Sequence, residues 1–557
     1  MLGNTLTELL RNRAEKYPDY LFVRFLERGE VTSTYTFSET WTWAQQWAVL
    51  LREYGLKRGD SAILALQNTD DFLGAYFGTL LVGGIPAPVV PLRRLKADNQ
   101  YLETIAQRLS RIHAKILIVP DVQKEIRNLP PLSQIKNLTV LTKSDVQPTN
   151  IEVASAARPS DPGLFQFTSG TSGLAKAVQL SHEALVSQTK NIAKALNLTH
   201  DADFALSWLP VFHDMGLIGF VLTPIFGAVT LSLMPTEDFM RRPTVWLKTA
   251  SDFGVTITGG PPSAYASCAR FVKDADVENY DLSQLRGAFV GAEMIAPATL
   301  KSFAEKFRPA GFRIESFLPA YGLAENGLAV TMKPHDEGPV YDAIDQDRLN
   351  KHDHAKPASQ NGDANVRTLV SAGVLIDETE VKIVDQNGAK LEDRRIGEIL
   401  VRSTSLMDGY FEQKEATEKV LRDGWLWTGD LGYVADNQLY VTGRKKEVLI
   451  VGGNNYYPDD LEKVAEEAAN GKPGSVVAFA CDDANRGTEI VIILVESRLK
   501  DDSERDLLRF HVRQELVKAG FPVNDVLLLK PRTIGNTPNG KRKRMECKLR
   551  YLNGDFS

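Results

Sequence analysis

A run of hydroxyl-bearing and glycine residues is the first candidate for chemistry in this chain. It comprises Thr168, Ser169, Gly170, Thr171, Ser172 and Gly173, and it is followed by Lys176. Because glycine permits positive φ and close backbone approach, consecutive N–H groups can converge on an anion, and the hydroxyls and lysine add donors. The pattern predicts a phosphate-binding loop. Taken alone, a flexible connector has the same composition, and the loop lacks the Gly-Lys-Ser/Thr ending of the common nucleotide loop.

Further downstream, short segments place a histidine, carboxylates, an aromatic ring and a lysine at turns or strand ends. They are 208–216 with His213 and Asp214, Gly291-Ala292-Glu293, 321–325 with Tyr321, Gly322 and Glu325, 427–430 with Asp430, Gly443-Arg444-Lys445-Lys446, and 537–541 with Lys541. Each has a structural alternative: His213 as a core histidine, Tyr321 as packing and Asp430 as a turn residue. Lys541 lies in a basic run, which is usually a solvated face.

Composition narrows the class of protein. A chain of 557 residues is expected to form several domains, and its hydrophobic content of 43% and charged content of 24% are typical of globular proteins. A net charge of −6 gives no basic footprint for nucleic acid. Cys268, Cys481 and Cys547 are far apart, so we expect a reducing, cytoplasmic location and neither disulfides nor a zinc site.

No segment of the sequence is predicted to target or cross a membrane. The N-terminal residues 1–20 are charged and helical in pattern, unlike a signal peptide. The apolar runs 72–92 and 215–236 are interrupted by proline and glycine, so each is expected to form a buried helix followed by a short strand.

Short apolar strands alternate with helices through most of the chain, which indicates parallel sheets covered on both faces. Residues 380–442 are strand-rich, and those after Gly443 predict a compact α+β unit. The polar segment 335–365 predicts a long surface insertion. His352 and His354 lie there without a nearby further ligand, so solvated residues are expected rather than a metal site.

Together, in this order, the motifs resemble the adenylate-forming superfamily of acyl-CoA synthetases, peptide-synthetase adenylation domains and luciferases, over essentially the whole chain. The fatty acyl-AMP ligase branch is the most similar, on residues 208–219, 242–247, 370–373 and 443–458. The resemblance implies an α/β fold: a large N-terminal domain of sheets flanked by helices with a β-rich subdomain (1–442), a hinge (443–446) at Lys446, and a small mobile α+β C-terminal domain (447–557). The segment 335–365 falls where that branch carries an extra segment.

The resemblance also implies a role for each candidate residue. It implies contacts to the outer phosphates of ATP from Thr168, Ser169, Gly170, Thr171, Ser172, Gly173 and Lys176, to adenine from Gly291, Ala292, Glu293, Tyr321 and Gly322, and to ribose from Asp430 with Arg444. Glu325 would hold Mg²⁺, Lys541 would bridge the substrate carboxylate and the α-phosphate, and His213 would lie where the acyl tunnel meets the nucleotide. ATP and Mg²⁺ are implied, with no tightly bound organic cofactor.

The function implied is that of a fatty acyl-AMP ligase, which passes the acyl group to an acyl carrier protein on a separate chain or a downstream domain. The alternatives are a fatty acyl-CoA synthetase, an amino-acid adenylation domain and a catalytically inactive nucleotide- or lipid-binding protein. The insertion 335–365 favours the ligase, because in the resemblance it restrains the small domain. An amino-acid adenylation domain carries aspartate after the phenylalanine that here precedes His213.

Overall fold

Two parallel sheets with helices on their faces form the larger part of the chain. The structure, a computed structural model, describes residues 3–92, 99–168, 176–334, 337–359, 365–451, 454–471, 474–483, 488–535 and 542–556. The buried strands are continuous apolar runs because helices cover both of their faces. The architecture is mixed α/β, as the sequence predicts.

The first part of the chain folds into helices around a small parallel sheet. Its helices are α1 (Leu6–Lys16), α2 (Phe37–Glu53), α3 (Asp70–Leu81) and α4 (Asn99–Arg111). Its strands are β1 (Leu21–Glu27), β2 (Glu30–Thr36), β3 (Ser61–Leu64), β4 (Ile85–Pro88), β5 (Ile116–Ile118), β6 (Thr139–Leu141) and β7 (Pro162–Thr168). The parallel sheet has the order β4-β3-β5-β6.

The first helix shows how local sequence sets these boundaries. The Thr5 side chain accepts a hydrogen bond from the Glu8 amide, and the Glu8 carboxylate accepts one from the Thr5 amide, so orphan donors at the start of α1 are satisfied. Leu6, Leu9 and Leu10 recur at helical spacing and are buried in the core. The helix is therefore fixed at its start by a capping box and along one face by burial.

The second part of the chain completes the main sheet. Its helices are α5 (His182–Ala195), α6 (Thr223–Gly227), α7 (Thr236–Arg241), α8 (Thr244–Asp252), α9 (Pro262–Phe271), α10 (Pro297–Phe307) and α11 (Gln346–His352). Its strands are β8 (Lys176–Ser181), β9 (Phe204–Ser207), β10 (Thr230–Leu233), β11 (Ile257–Gly260), β12 (Gly287–Val290), β13 (Phe317–Gly322), β14 (Ala329–Met332), β15 (Tyr341–Asp345), β16 (Val366–Val370) and β17 (Val374–Leu375). The sheet has the order β17-β14-β13-β12-β11-β9-β10-β1-β2 and is parallel from β13 to β1.

A strand-rich unit follows. It contains β18 (Thr379–Val384), β19 (Gly397–Ser403), β20 (Gly409–Tyr410), α12 (Lys414–Val420), β21 (Leu421–Arg422), β22 (Trp425–Ala435) and β23 (Gln438–Arg444). Four of the strands are ordered β18-β19-β22-β21, and β23 pairs with β22. The short β20 does not join this sheet. It pairs with β8 and so connects the unit to the hairpin formed by β7 and β8.

The last part of the chain has a core of its own. It contains β24 (Leu449–Val451), β25 (Asn454–Tyr456), α13 (Pro458–Ala468), β26 (Val476–Asp483), β27 (Thr488–Glu496), α14 (Asp502–Lys518), β28 (Asp525–Leu529) and α15 (Arg544–Leu552). Leu461, Ile493 and Val512 are fully buried in one apolar cluster between α13, α14 and the sheet. The Arg544 guanidinium lies against the Glu462 carboxylate at 2.7 Å and fastens α15 to α13.

The polar segment 335–365 is more ordered than its composition predicts. Its described part contains β15 and α11, and β15 pairs antiparallel with β16. Ile344 and Leu349 are fully buried in a cluster with Tyr433 and Tyr440 of the strand-rich unit. Buried apolar side chains and strand pairing therefore hold a segment whose average composition is that of a polar surface loop.

The apolar runs that approach membrane-spanning length are interior elements. Residues 72–92 supply most of α3 and then β4, and residues 215–236 supply a π-helical segment (Met215–Leu222), α6 and β10, as the sequence predicts. Within the described ranges, no helix combines the length and the apolar character that crossing a membrane requires.

Candidate active site

A cavity of about 1160 Å³ brings together residues from most of the predicted segments. Its lining includes Thr168, Lys176, His213, Gly291, Ala292, Tyr321, Gly322, Glu325, Arg444 and Lys446. A larger cleft of about 2660 Å³ shares some of this wall and adds Glu293 and Asp430. Residues 169–173 and Lys541 lie outside the described residues, so their roles stay predictions.

The Asp430 carboxylate is buried at this site and is held by two neighbouring side chains. Asp430 on β22 is directly opposite Arg444 on β23, and its Oδ1 lies 3.2 Å from the Arg444 Nε. The Tyr321 hydroxyl donates to its Oδ2 at 2.7 Å. The nearby Asp430 carboxylate raises the pKa of Arg444, and burial raises the pKa of Tyr321 well above its usual value. The arrangement leaves lone pairs of a buried carboxylate for a diol.

The backbone beside Tyr321 is unusually close-packed. A Cβ on Gly322 would lie 1.9 Å from the Leu328 carbonyl oxygen, and one on Gly291 would lie 2.7 Å from the Ala320 carbonyl oxygen. Both positions therefore require glycine. Glu293 follows on the same turn, and its carboxylate accepts a hydrogen bond from the Ser263 hydroxyl at 3.1 Å. The result is a narrow wall that can fit a flat ring.

At the other end of the cavity, a carboxylate and an ammonium group meet around one phenol. The Tyr410 hydroxyl donates to the Glu325 Oε1 at 2.8 Å, and the Lys176 Nζ lies 4.1 Å from the centre of the Tyr410 ring. Lys176 pairs with Thr168 across the hairpin of β7 and β8. Burial lowers the pKa of Lys176, and Glu325 opposes that effect. These groups can hold phosphates and a hard cation together.

His213 lies between the polar groups and an apolar chamber. Its Nδ1 is 2.8 Å from the Asp214 Oδ1, and the Gln166 side-chain amide donates to the neighbouring Phe212 carbonyl at 2.7 Å. Beyond His213 the cavity is lined by apolar residues and one glycine: Ile192, Met215, Gly219, Phe220, Phe289, Leu328 and Met332. The chamber can take an aliphatic chain, with the polar wall at its mouth.

Sequence reasoning missed Tyr410 and Gln166. Tyr410 reaches Glu325 because β20 pairs with β8, a long-range contact for which the local sequence carries no signal. Gln166 lies directly before the predicted loop, at a strand position whose burial could have drawn attention to it. Among the described residues no group of His, Cys, Asp and Glu side chains forms a metal cluster.

Comparison with known proteins agrees with this geometry. The model of the AMP-binding enzyme family matches residues 10–411. The chain belongs to the AMP-binding enzyme family. It is accordingly an ATP-dependent, AMP-forming ligase, and the predicted resemblance to the fatty acyl-AMP ligase branch of the adenylate-forming superfamily is confirmed.

Relatives in this AMP-binding family cover nearly the whole chain. A putative acyl-CoA synthetase of Caulobacter vibrioides is 34% identical over 95% of this chain and 92% of its own length. The medium-chain-fatty-acid–[acyl-carrier-protein] ligase JamA of Moorena producens is 30% identical over 99% of this chain and 95% of its own. A solved structure from studies of fatty acyl-adenylate ligases from E. coli and L. pneumophila has a TM-score of 0.90 at 29% identity, covering 99% of this chain and 98% of that one.

Proposed function

We propose that this protein is a fatty acyl-AMP ligase. It joins a fatty acid to the AMP part of ATP with release of pyrophosphate, and then passes the acyl group to the phosphopantetheine thiol of an acyl carrier protein with release of AMP. The observation that carries the proposal is the apolar chamber that opens at His213 beside Tyr321 and Glu325 in one cavity. An aliphatic chain in that chamber would present its carboxylate to the nucleotide.

The polar wall supports a site for each part of ATP. Asp430, held by Tyr321 and Arg444, accepts hydrogen bonds from the ribose hydroxyls. The Tyr321 ring stacks on adenine, which lies against the glycine-lined wall at Gly291 and Gly322. The loop 169–173 and Lys176 would hold the outer phosphates.

The first half-reaction is attack of the fatty-acid carboxylate on the α-phosphate. A bond forms between the carboxylate oxygen and phosphorus, and the bond to pyrophosphate breaks, so that negative charge builds on the leaving group. Fixed cations are the natural catalysts for such charge. Lys176 stabilises the pyrophosphate, and Lys541 would bridge the carboxylate and the α-phosphate. Mg²⁺, which typically binds one or two carboxylates together with substrate phosphates, fits Glu325 and would neutralise charge there.

The choice of acyl acceptor rests on the segment 335–365. In its described part, the Asn455 side-chain amide at the start of the small domain donates to the Asp353 carboxylate at 3.0 Å. Arg367 on the paired strand β16 lies 3.1 Å from the Asp460 carboxylate of α13. These contacts join the small domain, after the proposed hinge at Lys446, to the segment 335–365 and to the strand β16 that pairs with it. We infer that they hinder the rotation that free CoA requires.

The test is product analysis with purified full-length protein, ATP, Mg²⁺ and fatty acids of graded length, with and without CoA. We expect acyl-AMP to accumulate and little acyl-CoA to form. Stoichiometric acyl-CoA would establish the alternative, a fatty acyl-CoA synthetase, which the Caulobacter relative's name suggests. Absence of any acyl-AMP would contradict the proposal altogether.

A point variant tests the segment's role without removing its buried Ile344 and Leu349. Asn455→Asp keeps the side-chain shape but sets a second carboxylate against Asp353, so the link becomes repulsive. We expect acyl-CoA yield to rise with acyl-AMP formation unchanged. The exposed Asn279→Asp adds the same charge elsewhere and serves as the control. An unchanged acyl-CoA yield in Asn455→Asp would count against the restraint.

A further inference from the structure

A second lysine lies beside the proposed phosphate site and is not explained by the roles above. Lys419 is on α12, and it lines the same cavity as Lys176, Glu325 and Tyr410. The ammonium groups of Lys419 and Lys446 add to burial in lowering the pKa of Lys176. Lys419 is therefore close enough to Lys176 for their positive charges to repel one another.

The helix that carries Lys419 is fastened to Tyr410. The Tyr410 amide donates to the Thr417 Oγ1 at 2.9 Å, and Thr417 in turn donates to the Gln413 carbonyl at 3.0 Å. Tyr410 is thus joined to α12 by its backbone and to Glu325 by its hydroxyl. The position of α12 relative to the proposed phosphate site is therefore fixed through Tyr410.

The backbone of Lys419 is fixed while its ammonium group is not. The Arg422 guanidinium donates to the Lys419 carbonyl at 2.7 Å and lies over the Trp427 ring at 4.9 Å. In the described chain Lys419 forms no ion pair, and the adjacent Glu418 is paired with Lys414 on the preceding turn. The positive charges of Lys176 and Lys419 repel one another, with Glu325 offsetting part of that repulsion, and an anion between the two lysines would relieve it.

We propose that Lys419 binds the outer phosphates of ATP, and afterwards the pyrophosphate product, from the α12 side of the cavity that Lys176, Glu325 and Tyr410 also line. This inference rests on the proposed function and adds a binding residue to it. A lysine suits the task because its ammonium group is a point charge on a flexible stem that can follow a phosphate. The site extends from Lys176 over Tyr410 to α12.

Direct binding of inorganic pyrophosphate tests the proposal without any acyl chemistry. Calorimetric titration of the full chain with pyrophosphate and Mg²⁺ should show about ten-fold weaker binding to Lys419→Ala, the size typical of a hydrogen bond to a charged group. Lys419→Arg should recover most of the affinity, and the difference should shrink at high salt. Equal affinity in wild type and Lys419→Ala would overturn the proposal.

Lys414→Ala is the matched control, because Lys414 is on the same helix and its side chain is 87% exposed. It removes the same charge but lies five residues away, on the other side of α12, and should leave pyrophosphate affinity unchanged. If both variants weakened pyrophosphate binding equally, the effect would come from net charge alone and the proposed site would be wrong.

Kinetics separate this proposal from the function on which it rests. In acyl-AMP formation, Lys419→Ala should raise the KM for ATP and the pyrophosphate inhibition constant by similar factors and leave the KM for fatty acid unchanged. If wild type forms no acyl-AMP yet its pyrophosphate affinity depends on Lys419, the proposed function fails and this site stands. If wild type forms acyl-AMP and Lys419→Ala behaves as wild type, this site fails alone.

Discussion

The Tyr321 hydroxyl donates a 2.7 Å hydrogen bond to the Asp430 carboxylate and so joins the end of β13 to the strand-rich unit. Asp430 is 7% exposed, and Arg444 contacts its other oxygen. The carboxylate is therefore oriented before any nucleotide arrives, and part of the ordering cost of binding is already met.

Replacing Asp430 by asparagine should weaken ATP use selectively. The change keeps the shape but removes the charge that faces Arg444 and two of the acceptor positions for a ribose diol. Lost hydrogen bonds to a charged group predict a roughly 10- to 100-fold rise in the KM for ATP, with little change in the KM for fatty acid. The measurement is acyl-AMP formation at varied ATP. Asp436→Asn, with a side chain 88% exposed on the same hairpin, should behave as wild type.

Glu325→Gln should impair the chemical step and its dependence on Mg²⁺. The amide still accepts from the Tyr410 hydroxyl but no longer offers a charged ligand to a hard cation. We expect kcat to fall by roughly 10²-fold, and the Mg²⁺ concentration for half-maximal rate to rise. Glu412→Gln, with a half-exposed carboxylate, is the control. A lower kcat with an unshifted Mg²⁺ profile would argue that Glu325 only positions Tyr410.

Much of the fold, and the position of Asp430 beside Arg444, could be predicted because their signals are local. Buried parallel strands read as apolar runs, and the turn before Asp430 carries its carboxylate into a hairpin opposite Arg444. Tyr410 could not be found in this way. Its contact with Glu325 depends on the pairing of β20 with β8. The residues of either strand alone do not indicate such pairing between distant segments.

The polar segment 335–365 is a second case in which the local sequence did not predict the structure. Its composition predicts a surface loop, and average polarity hides the buried Ile344 and Leu349. The apolar partners of these residues, Tyr433 and Tyr440, come from strands far along the chain. Secondary structure stabilised mainly by such distant packing escapes a reading of local composition.

Gly219→Leu should shorten the range of fatty acids accepted. A Cβ at Gly219 would lie 3.1 Å from Leu328 and 4.0 Å from Met215, so a larger side chain must enter the apolar chamber. Each methylene buried in that chamber contributes about 0.8 kcal/mol, close to four-fold in kcat/KM. In a series of graded acids, the variant should match wild type for short chains and lose this gain at longer ones. A uniform loss at every length would instead indicate damage to the mouth of the site.

His182 should make the stability of the folded protein depend on pH. It is 1% exposed at the start of α5, where its Nδ1 accepts a hydrogen bond from the Leu6 amide at 3.2 Å. Burial lowers the pKa of His182 to about 4, whereas an unfolded histidine has a pKa of about 6.5. Between these values the unfolded chain binds the additional proton. The contribution of neutral His182 to the free energy of unfolding is therefore complete above about pH 6.5. It is lost as pH falls towards 4, by roughly 3 kcal/mol in all.

The variant His182→Gln isolates this effect from the other titrating groups. Glutamine can still accept from the Leu6 amide but does not titrate, so its melting temperature should fall less than that of wild type between pH 7.5 and pH 5. At pH 7.5 the variant should be the less stable of the two, since it replaces a well-packed ring. At low pH the gap should close by a few degrees, as a shift of this energy predicts for a large domain. If the melting temperatures of both proteins fell in parallel across that range, His182 would bind its proton equally in the folded and unfolded states, and folding would not lower its pKa.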